Sequence, residues 1–188
     1  MKQIKSKGYT QSVGIIVIIL LLVYTAISSA IAVGEQAYAY QDGTYRIELT
    51  GEEYDTYASM YQTVLDTAPE ILIITQYSLE DRVKQTENLT EDERAIYTIW
   101  GLPDDTDITQ EDALYLAYAA LKEVLLLSDN DLETMVPSFA FEVTDPDQAM
   151  WYIKFMPFDR ENNNNRYRVK VYAQSGDIAE IAISDSVG

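Results

Sequence analysis

The side chains available for chemistry in this chain are carboxylates, tyrosines, lysines, serines and threonines, because the sequence contains no Cys and no His. Disulfides, thiolate nucleophiles, imidazole bases and the zinc sites built on those ligands are therefore excluded by composition. The 31 acidic residues include enough carboxylates for glycoside hydrolysis, but that reaction requires two of them at a fixed separation inside a cleft. No nucleophilic-serine motif or phosphate-binding loop is present, so the sequence predicts no catalytic residue, no cofactor and a protein that is not an enzyme.

Two acidic clusters have the spacing of oxygen ligands for a calcium ion. The first covers residues 128–133. It fails as an EF-hand loop, because Thr134 stands where the glycine is required and Ala140 where the bidentate glutamate is required. The second consists of Asp104, Asp105 and Asp107. Turns at helix ends, with acidic side chains as caps, explain both clusters, so the sequence predicts no metal site.

Four basic residues near the C-terminus alternate with apolar residues, and we call them the basic stripe: Lys154, Arg166, Arg168 and Lys170. Successive side chains of a strand point to opposite faces of a sheet, so this alternation places all four on the face away from the core. Two interpretations stay open. The stripe is either a set of solvated cations balanced by neighbouring acids, or a docking surface for the acidic N-terminal part of the chain or for a partner.

The chain as a whole is acidic, with 13 basic residues, 31 acidic residues and a formal net charge of −18 at pH 7. A field of that sign repels phosphate backbones and anionic lipid surfaces, so nucleic acid is excluded as a partner. The length of 188 residues and the hydrophobic fraction of 47% are typical of a folded protein with one modest domain or two small ones.

The first 34 residues have the composition of a membrane-targeting segment. Lys2, Lys5 and Lys7 precede an uncharged stretch that extends from residue 8 to residue 34. This pattern predicts either a cleaved signal peptide or a membrane anchor formed by residues 13–33, with the rest of the chain outside the cytoplasm. Residues 30–32 and 37–39 have the small-x-small form that a signal peptidase recognises, and they are two candidate cleavage sites.

Residues 7–10 also resemble the processing site of prepilins, in which cleavage follows the glycine, here Gly8. The resemblance is partial, because Val13 stands where pilins usually place a Glu. Residues 34 and 41–43 also interrupt the long helix that a pilin needs. A pilin-like structural subunit is therefore a minor alternative.

Residues 35–100 are predicted to form a short strand followed by helices. Tyr45, Ile47 and Leu49 alternate with polar residues, as in a half-buried strand. Thr50 and Glu53 have the spacing of a capping box, and the helix after them carries an apolar face with a stripe of tyrosines. We expect that stripe to be a core face with hydroxyls at its edge. Residues 71–74 are apolar but unassigned, and residues 80–93 are predicted as exposed helix or linker.

A breaker cluster at residues 101–105 marks the start of a C-terminal unit, residues 101–188. Thr109 is the predicted N-cap of a helix with acids in its first turn and small apolar residues along one stripe, reaching about Leu127. Four segments with strand alternation follow, around residues 139–143, 151–155, 167–173 and 178–183, separated by turn-forming residues. The predicted fold is therefore α+β, with this helix packed on an antiparallel meander.

The C-terminal unit resembles the PepSY domain over about residues 105–183. Three features carry the resemblance: the helix opening at residues 108–113, the strand segment Trp151-Tyr152-Ile153, and residues 167–178, which have the form Tyr-x-Val-x-Val-x-Ala followed by Gly-Asp-Ile. The resemblance implies an extracytoplasmic module of bacterial secreted or membrane proteins that regulates or inhibits peptidases. It implies no catalytic residue.

The leading hypothesis is therefore an exported, non-enzymatic module that binds a protein, with a peptidase as the partner that the resemblance implies. A secreted hydrolase that uses two carboxylates is the alternative from a different class.

Overall fold

The computed structural model describes residues 37–40, 45–67, 78–159 and 165–185. Five strands form one antiparallel sheet, with spatial order β1-β5-β4-β3-β2: β1 (Ala37–Tyr40), β2 (Met135–Glu142), β3 (Met150–Pro157), β4 (Asn165–Tyr172) and β5 (Ile178–Asp185). The helices that accompany the sheet are α1 (Gly51–Thr67), α2 (Leu79–Thr86), α3 (Glu91–Arg94), α4 (Gln110–Leu125) and α5 (Asp129–Glu133). The predicted α+β class is confirmed.

Strands β2 to β5 follow one another as antiparallel neighbours, in the meander that the alternation predicts. In β3 and β4 alternate residues are buried, and Trp151, Ile153 and Val169 lie on the core face. Strand β2 differs from the prediction, because all eight of its residues are buried. The physical reason is that α2 also packs against β2, so this strand is not left with a solvent face.

Helix α4 supplies the apolar layer that covers the core face of the sheet. Thr109 and Asp112 form the capping box at its start, with the backbone N–H of Asp112 donating to the Thr109 hydroxyl at 3.1 Å. Five residues of the predicted stripe are fully buried: Ala113, Leu114, Ala117, Ala120 and Leu121. Its last two residues, Val124 and Leu125, are half-buried and pack against the core. The helix ends at Leu125, slightly before the predicted end, because Leu126 adopts the left-handed conformation with a φ of 57°. Its small alanines allow the helix backbone to approach the sheet closely.

Helix α1 begins at the predicted capping box, in which Glu53 accepts a hydrogen bond from the backbone N–H of Thr50 at 2.8 Å. It packs against α4 and α5. The tyrosine stripe belongs to the core in part: the Tyr57 ring is 4% exposed, and its centre lies 5.9 Å from that of Tyr118 on α4, whereas Tyr61 is half-buried. Tyr54 lies at the edge, where its hydroxyl donates to Asp112 at 3.0 Å.

The predicted strand at residues 45–49 is wrong as a strand. Tyr45 forms a single bridge with Ile178, and no strand follows it. The alternation of burial is nevertheless present, because Tyr45, Ile47 and Leu49 are half-buried and the residues between them are exposed. β1 pairs with residues 181–183 of β5, and Tyr45 pairs with Ile178, the first residue of that strand. In an antiparallel arrangement the residues after Tyr45 therefore run past the end of β5 and have no strand beside them.

Side chains hold this segment to the domain where backbone pairing does not. The Tyr45 hydroxyl donates to Glu123 on α4, and this hydrogen bond to a carboxylate, together with burial, raises the pKa of Tyr45 to about 12. Arg46 Nε donates to Asp177 Oδ1 at 2.7 Å. That hydrogen bond lowers the pKa of the Asp177 carboxyl below its usual range. The segment is therefore joined to both α4 and the turn before β5.

The acid-rich stretch at residues 80–93 is predicted as either exposed helix or linker, and in the structure it contains two short helices with N-terminal caps. Ser78 caps α2 by accepting from the backbone N–H of Asp81, and Thr90 forms a capping box with Glu93 at the start of α3.

Within the described ranges, no helix has both the length and the apolar character needed to cross a bilayer. The apolar run at residues 71–74, the predicted membrane-targeting segment, the candidate cleavage site at residues 30–32 and the prepilin-like site lie outside the described residues.

Replacing Tyr118 with Phe is expected to raise the free energy of unfolding by about 1 kcal/mol. Tyr118 is fully buried, burial raises its pKa, and its hydroxyl has no hydrogen-bond partner among the described residues. Removing the hydroxyl therefore removes a desolvation cost without breaking a hydrogen bond. Urea unfolding followed by circular dichroism measures the change. Tyr45→Phe is the matched control, since it removes a hydroxyl that bonds Glu123. A loss of stability in Tyr118→Phe would show that its hydroxyl has a partner.

Candidate functional site

The face of the sheet opposite α4, which we call the outer face, carries the basic stripe. Lys154 lies on β3, and Arg166, Arg168 and Lys170 lie on β4, all half-buried. Their sequence neighbours Tyr167, Val169 and Val171 are buried on the core face. The register places Lys154 directly opposite Arg168, so two cations face each other across the strands. Like charges in that position repel, and the outer face therefore needs acids close by.

Two carboxylates on the sheet itself pair with the stripe. Arg168 Nε donates to Glu180 Oε1 at 2.6 Å, and their side chains are 20% and 11% exposed. Lys170 Nζ forms an ion pair with Glu142 Oε2 at 2.7 Å, without the geometry of a hydrogen bond. Their side chains are 19% and 9% exposed. These two cations are thus largely withdrawn from water and matched in charge. Arg168 and Lys170 are therefore not fully solvated cations.

Tyr152 forms the aromatic floor between the two paired cations. Its ring centre lies 5.6 Å from Arg168 Cζ and 6.0 Å from Lys170 Nζ, within the range of cation–π contacts. Burial lowers the pKa of the Arg168 guanidinium, but the hydrogen bond with Tyr152 and the charge of Glu180 outweigh it, so the pKa lies above its usual value. Arg168 is therefore always charged and is held in one orientation.

Trp100 extends this array to the edge of β2, with its ring packed edge-on against Tyr152 at 5.5 Å between centres. The segment around it is fixed by backbone pairing: Gly101 N–H donates to the Phe141 carbonyl, and Val143 N–H donates to the Ile99 carbonyl, both at 2.8 Å. A side chain at residue 101 would force the Val143 side chain to move, because a Cβ there would lie 2.7 Å from Val143 Cγ1. The close approach of the two backbones thus positions Trp100 before any ligand binds.

Sequence reasoning found the basic stripe but missed the residues that pair with it. The alternation of β3 places Tyr152 on the same face as Lys154, and this signal was available in the sequence. The pairing of Glu180 with β4 could not be predicted from the alternation, because a register shift between Lys170 and Val171 changes which residues lie opposite each other. The alternation of β2 also places Glu142 on the outer face, but its pairing with Lys170 joins two strands that are not neighbours and was not predictable. Trp100 reaches Tyr152 only through the contact of its segment with β2.

A groove between α1 and α5 is a separate feature of the surface. Four carboxylates line it together with Thr56, Ser59 and Met60: Glu52, Asp55, Asp129 and Glu133. Asp129 is paired with Lys122. Within the described part of the chain, no three acidic side chains are arranged to hold a metal ion. The two acidic clusters that have calcium-like spacing make local hydrogen bonds in the structure. Asp131 closes a capping box with Ser128 at the start of α5, and Asp104 accepts from the backbone N–H and the hydroxyl of Thr106 within a turn.

Comparison with known proteins gives no relative for this chain. No family model, no curated protein and no solved structure matches it. The fold and the outer face therefore define its class no further than an α+β domain with an antiparallel sheet. Ordered cations beside aromatic rings, with their charge matched by buried acids, form a surface suited to recognition.

Proposed function

We propose that this protein is an exported, non-enzymatic binding module that holds a protein partner on its outer face. The predicted targeting segment supports an extracytoplasmic location, with attachment to the membrane through residues 13–33 where that segment is kept. The resemblance to PepSY domains, which rests on the sequence, supports an extracellular peptidase as the partner.

The observation that carries this proposal is the ordered array of Arg168, Lys170 and Tyr152. Tyrosine and arginine are two of the residue types that dominate binding energy in protein interfaces. Their side chains normally lose rotational freedom on binding, but here the ion pairs and the aromatic floor already restrain them. An interface formed on this face therefore loses less entropy than one formed by mobile surface cations.

Arg166 is the residue at which this docking is best tested. It is half-buried on the outer face and makes no ion pair within the described residues, so reversing its charge breaks no internal pair. A partner with an acidic surface should associate more slowly with Arg166→Glu, by about tenfold at low salt, since complementary charges act mainly on the rate of encounter. Lys84→Glu is the control for a charge reversal on α2, where it breaks only an exposed ion pair with Asp81 of the same helix.

The experiment uses the tagged full chain as bait for an envelope extract from the cells that produce it. Proteins captured by the unmodified chain are identified, purified and tested for association kinetics at several salt concentrations. Slower association with Arg166→Glu, and unchanged association with Lys84→Glu, would support docking on the outer face. Failure to capture any protein, or kinetics equal in all three chains, would reject the proposal.

The acidic groove between α1 and α5 favours a second candidate, a hydrolase that uses two carboxylates. Such an enzyme needs an acid and a base on opposite sides of the bond to be cleaved, and the groove brings four carboxylates to one concavity. Hydrolysis of nitrophenyl glycosides by the full chain tests it. Activity that Glu133→Gln removes and Glu111→Gln leaves intact would support this candidate, and no hydrolysis of any glycoside would reject it.

A further inference from the structure

A pocket of about 380 Å³ opens next to the outer face, between α2 and the chain that leads to the edge of β2. This volume is typical of small-molecule sites. Six residues line it: Gln85, Thr86, Leu89, Tyr97, Thr98 and Trp100. Only Trp100 connects it with the array described above, through its contact with Tyr152. The pocket is thus a separate feature from the basic stripe.

None of the described residues that line the pocket is charged, although 23% of the residues in this chain are charged. The groove between α1 and α5, by contrast, is lined by four carboxylates. A charged ligand would find no opposite charge in the pocket, and an anionic one would also be repelled by the net charge of −18. The chemistry of the walls therefore selects an uncharged ligand.

Several polar groups in the pocket are available to such a ligand. The side chains of Gln85, Tyr97 and Thr98, and the indole N–H of Trp100, make no hydrogen bond within the described residues. Thr86 differs, because its hydroxyl accepts from the backbone N–H of Trp100 at 3.2 Å and donates to the Val83 carbonyl at 3.3 Å. Thr86 thus fixes the position of Trp100, while the other groups remain open for recognition.

We propose that this pocket binds an uncharged carbohydrate. A sugar ring has an apolar face of C–H groups and a rim of hydroxyls. The apolar face of the sugar can pack on the rings of Trp100 and Tyr97. Its hydroxyls can form hydrogen bonds with the amide of Gln85 and the hydroxyl of Thr98. An aliphatic peptide side chain would fill the same space but leave that amide and hydroxyl without partners, which costs binding energy.

The order of the pocket walls supports this ligand class. Trp100 is held by the paired backbones at Gly101 and by Thr86, so one aromatic wall is in place before binding. Tyr97 also lines the pocket and is 57% exposed, so its ring is accessible to a bound sugar. A preformed aromatic wall reduces the entropy lost on binding.

Calorimetric titration of the full chain with neutral hexasaccharides of glucose, xylose and N-acetylglucosamine tests the proposal. The chain is kept in a sugar-free polyoxyethylene detergent, so that the detergent does not compete. We expect at least one of these to bind at millimolar concentration or below, and a hexasaccharide of uronic acid to bind more weakly. Tyr97→Ala should weaken the affinity about tenfold or more. Gln85→Ala should also weaken it, and because Ala is the stronger helix former, unfolding of α2 would not explain that loss.

The control for the ring is Tyr54→Ala, which removes a partly exposed tyrosine from α1, outside the pocket. Its sugar affinity should equal that of the unmodified chain. No heat with any neutral hexasaccharide, or binding that Tyr97→Ala and Gln85→Ala leave unchanged, would overturn the proposal. Binding of a leucine-rich hexapeptide in place of sugars would also overturn it and make the pocket a peptide site. Arg166→Glu should leave sugar binding unchanged, so this test is independent of the protein-docking proposal.

Discussion

Replacing Trp151 with Ala is expected to lower the free energy of unfolding by about 4 kcal/mol. Trp151 is 1% exposed, and its ring packs edge-on against Phe141 with centres 5.0 Å apart. Its indole N–H donates to the Ile108 carbonyl at 2.9 Å. Ile108 directly precedes Thr109, the N-cap of α4. The substitution therefore leaves a large cavity and also removes the hydrogen bond that joins the start of α4 to the sheet.

Urea unfolding followed by circular dichroism measures this loss, since the signal does not depend on the deleted indole. Trp151→Phe separates the two causes: it keeps most of the ring volume but removes the hydrogen bond, so it should lose less, about 1–2 kcal/mol. Tyr97→Ala is the surface control and should change stability little, because that ring is 57% exposed. Equal stability of Trp151→Ala and Tyr97→Ala would contradict the packing of Trp151 between α4 and the sheet.

Replacing Lys170 with Met is expected to lower the free energy of unfolding by about 2–3 kcal/mol. The change keeps an unbranched side chain on the outer face but removes the charge that lies 2.7 Å from Glu142. The Glu142 carboxylate is 9% exposed, and the Thr144 hydroxyl would be its remaining hydrogen-bond donor among the described residues, at 3.2 Å. Leaving a nearly buried charge without its partner lowers the free energy of unfolding much more than removing both charges of the pair.

The double variant Lys170→Met with Glu142→Gln provides the decisive comparison. Gln has the shape of Glu and still offers an oxygen to the Thr144 hydroxyl, but it carries no charge. Most of the stability lost in Lys170→Met should therefore return in the double variant. Chemical denaturation of the four chains of this cycle measures the coupling. If the single and double variants are equally unstable, the ion pair does not explain the burial of Glu142.

The sequence determined the local features of this fold, because their causes lie within a few residues of one another. The capping boxes at Thr50 and Thr109 join residues three apart, so both were readable before the structure. Alternation in β3 and β4 likewise predicted which residues face the core and which form the basic stripe. In each case the signal depends only on the repeat of the helix or the strand.

The edge of the sheet was not predictable in the same way. Residues 37–39 have the spacing of a cleavage site, but in the structure they form most of β1, and processing after residue 39 would remove three of the four residues of this strand. The segment 45–49 has the pattern of a strand but forms only one bridge. Both segments lie along the same edge of β5, but only residues 37–40 lie beside its length, whereas Tyr45 lies beside its first residue, and this placement leaves no local signal.

The tertiary structure alone decided what surrounds the basic stripe. The sequence identified Arg168 and Lys170 as outer-face cations, but their partners Glu180 and Glu142 lie on other strands, one of them beyond a register shift. The pocket beside Trp100 likewise requires α2 and Trp100 to meet at the edge of β2. The physical reason is common to both. Side-chain pairing across strands and packing at a sheet edge are set by contacts between residues that are far apart in the chain, whereas the repeats that reveal helices and strands are local.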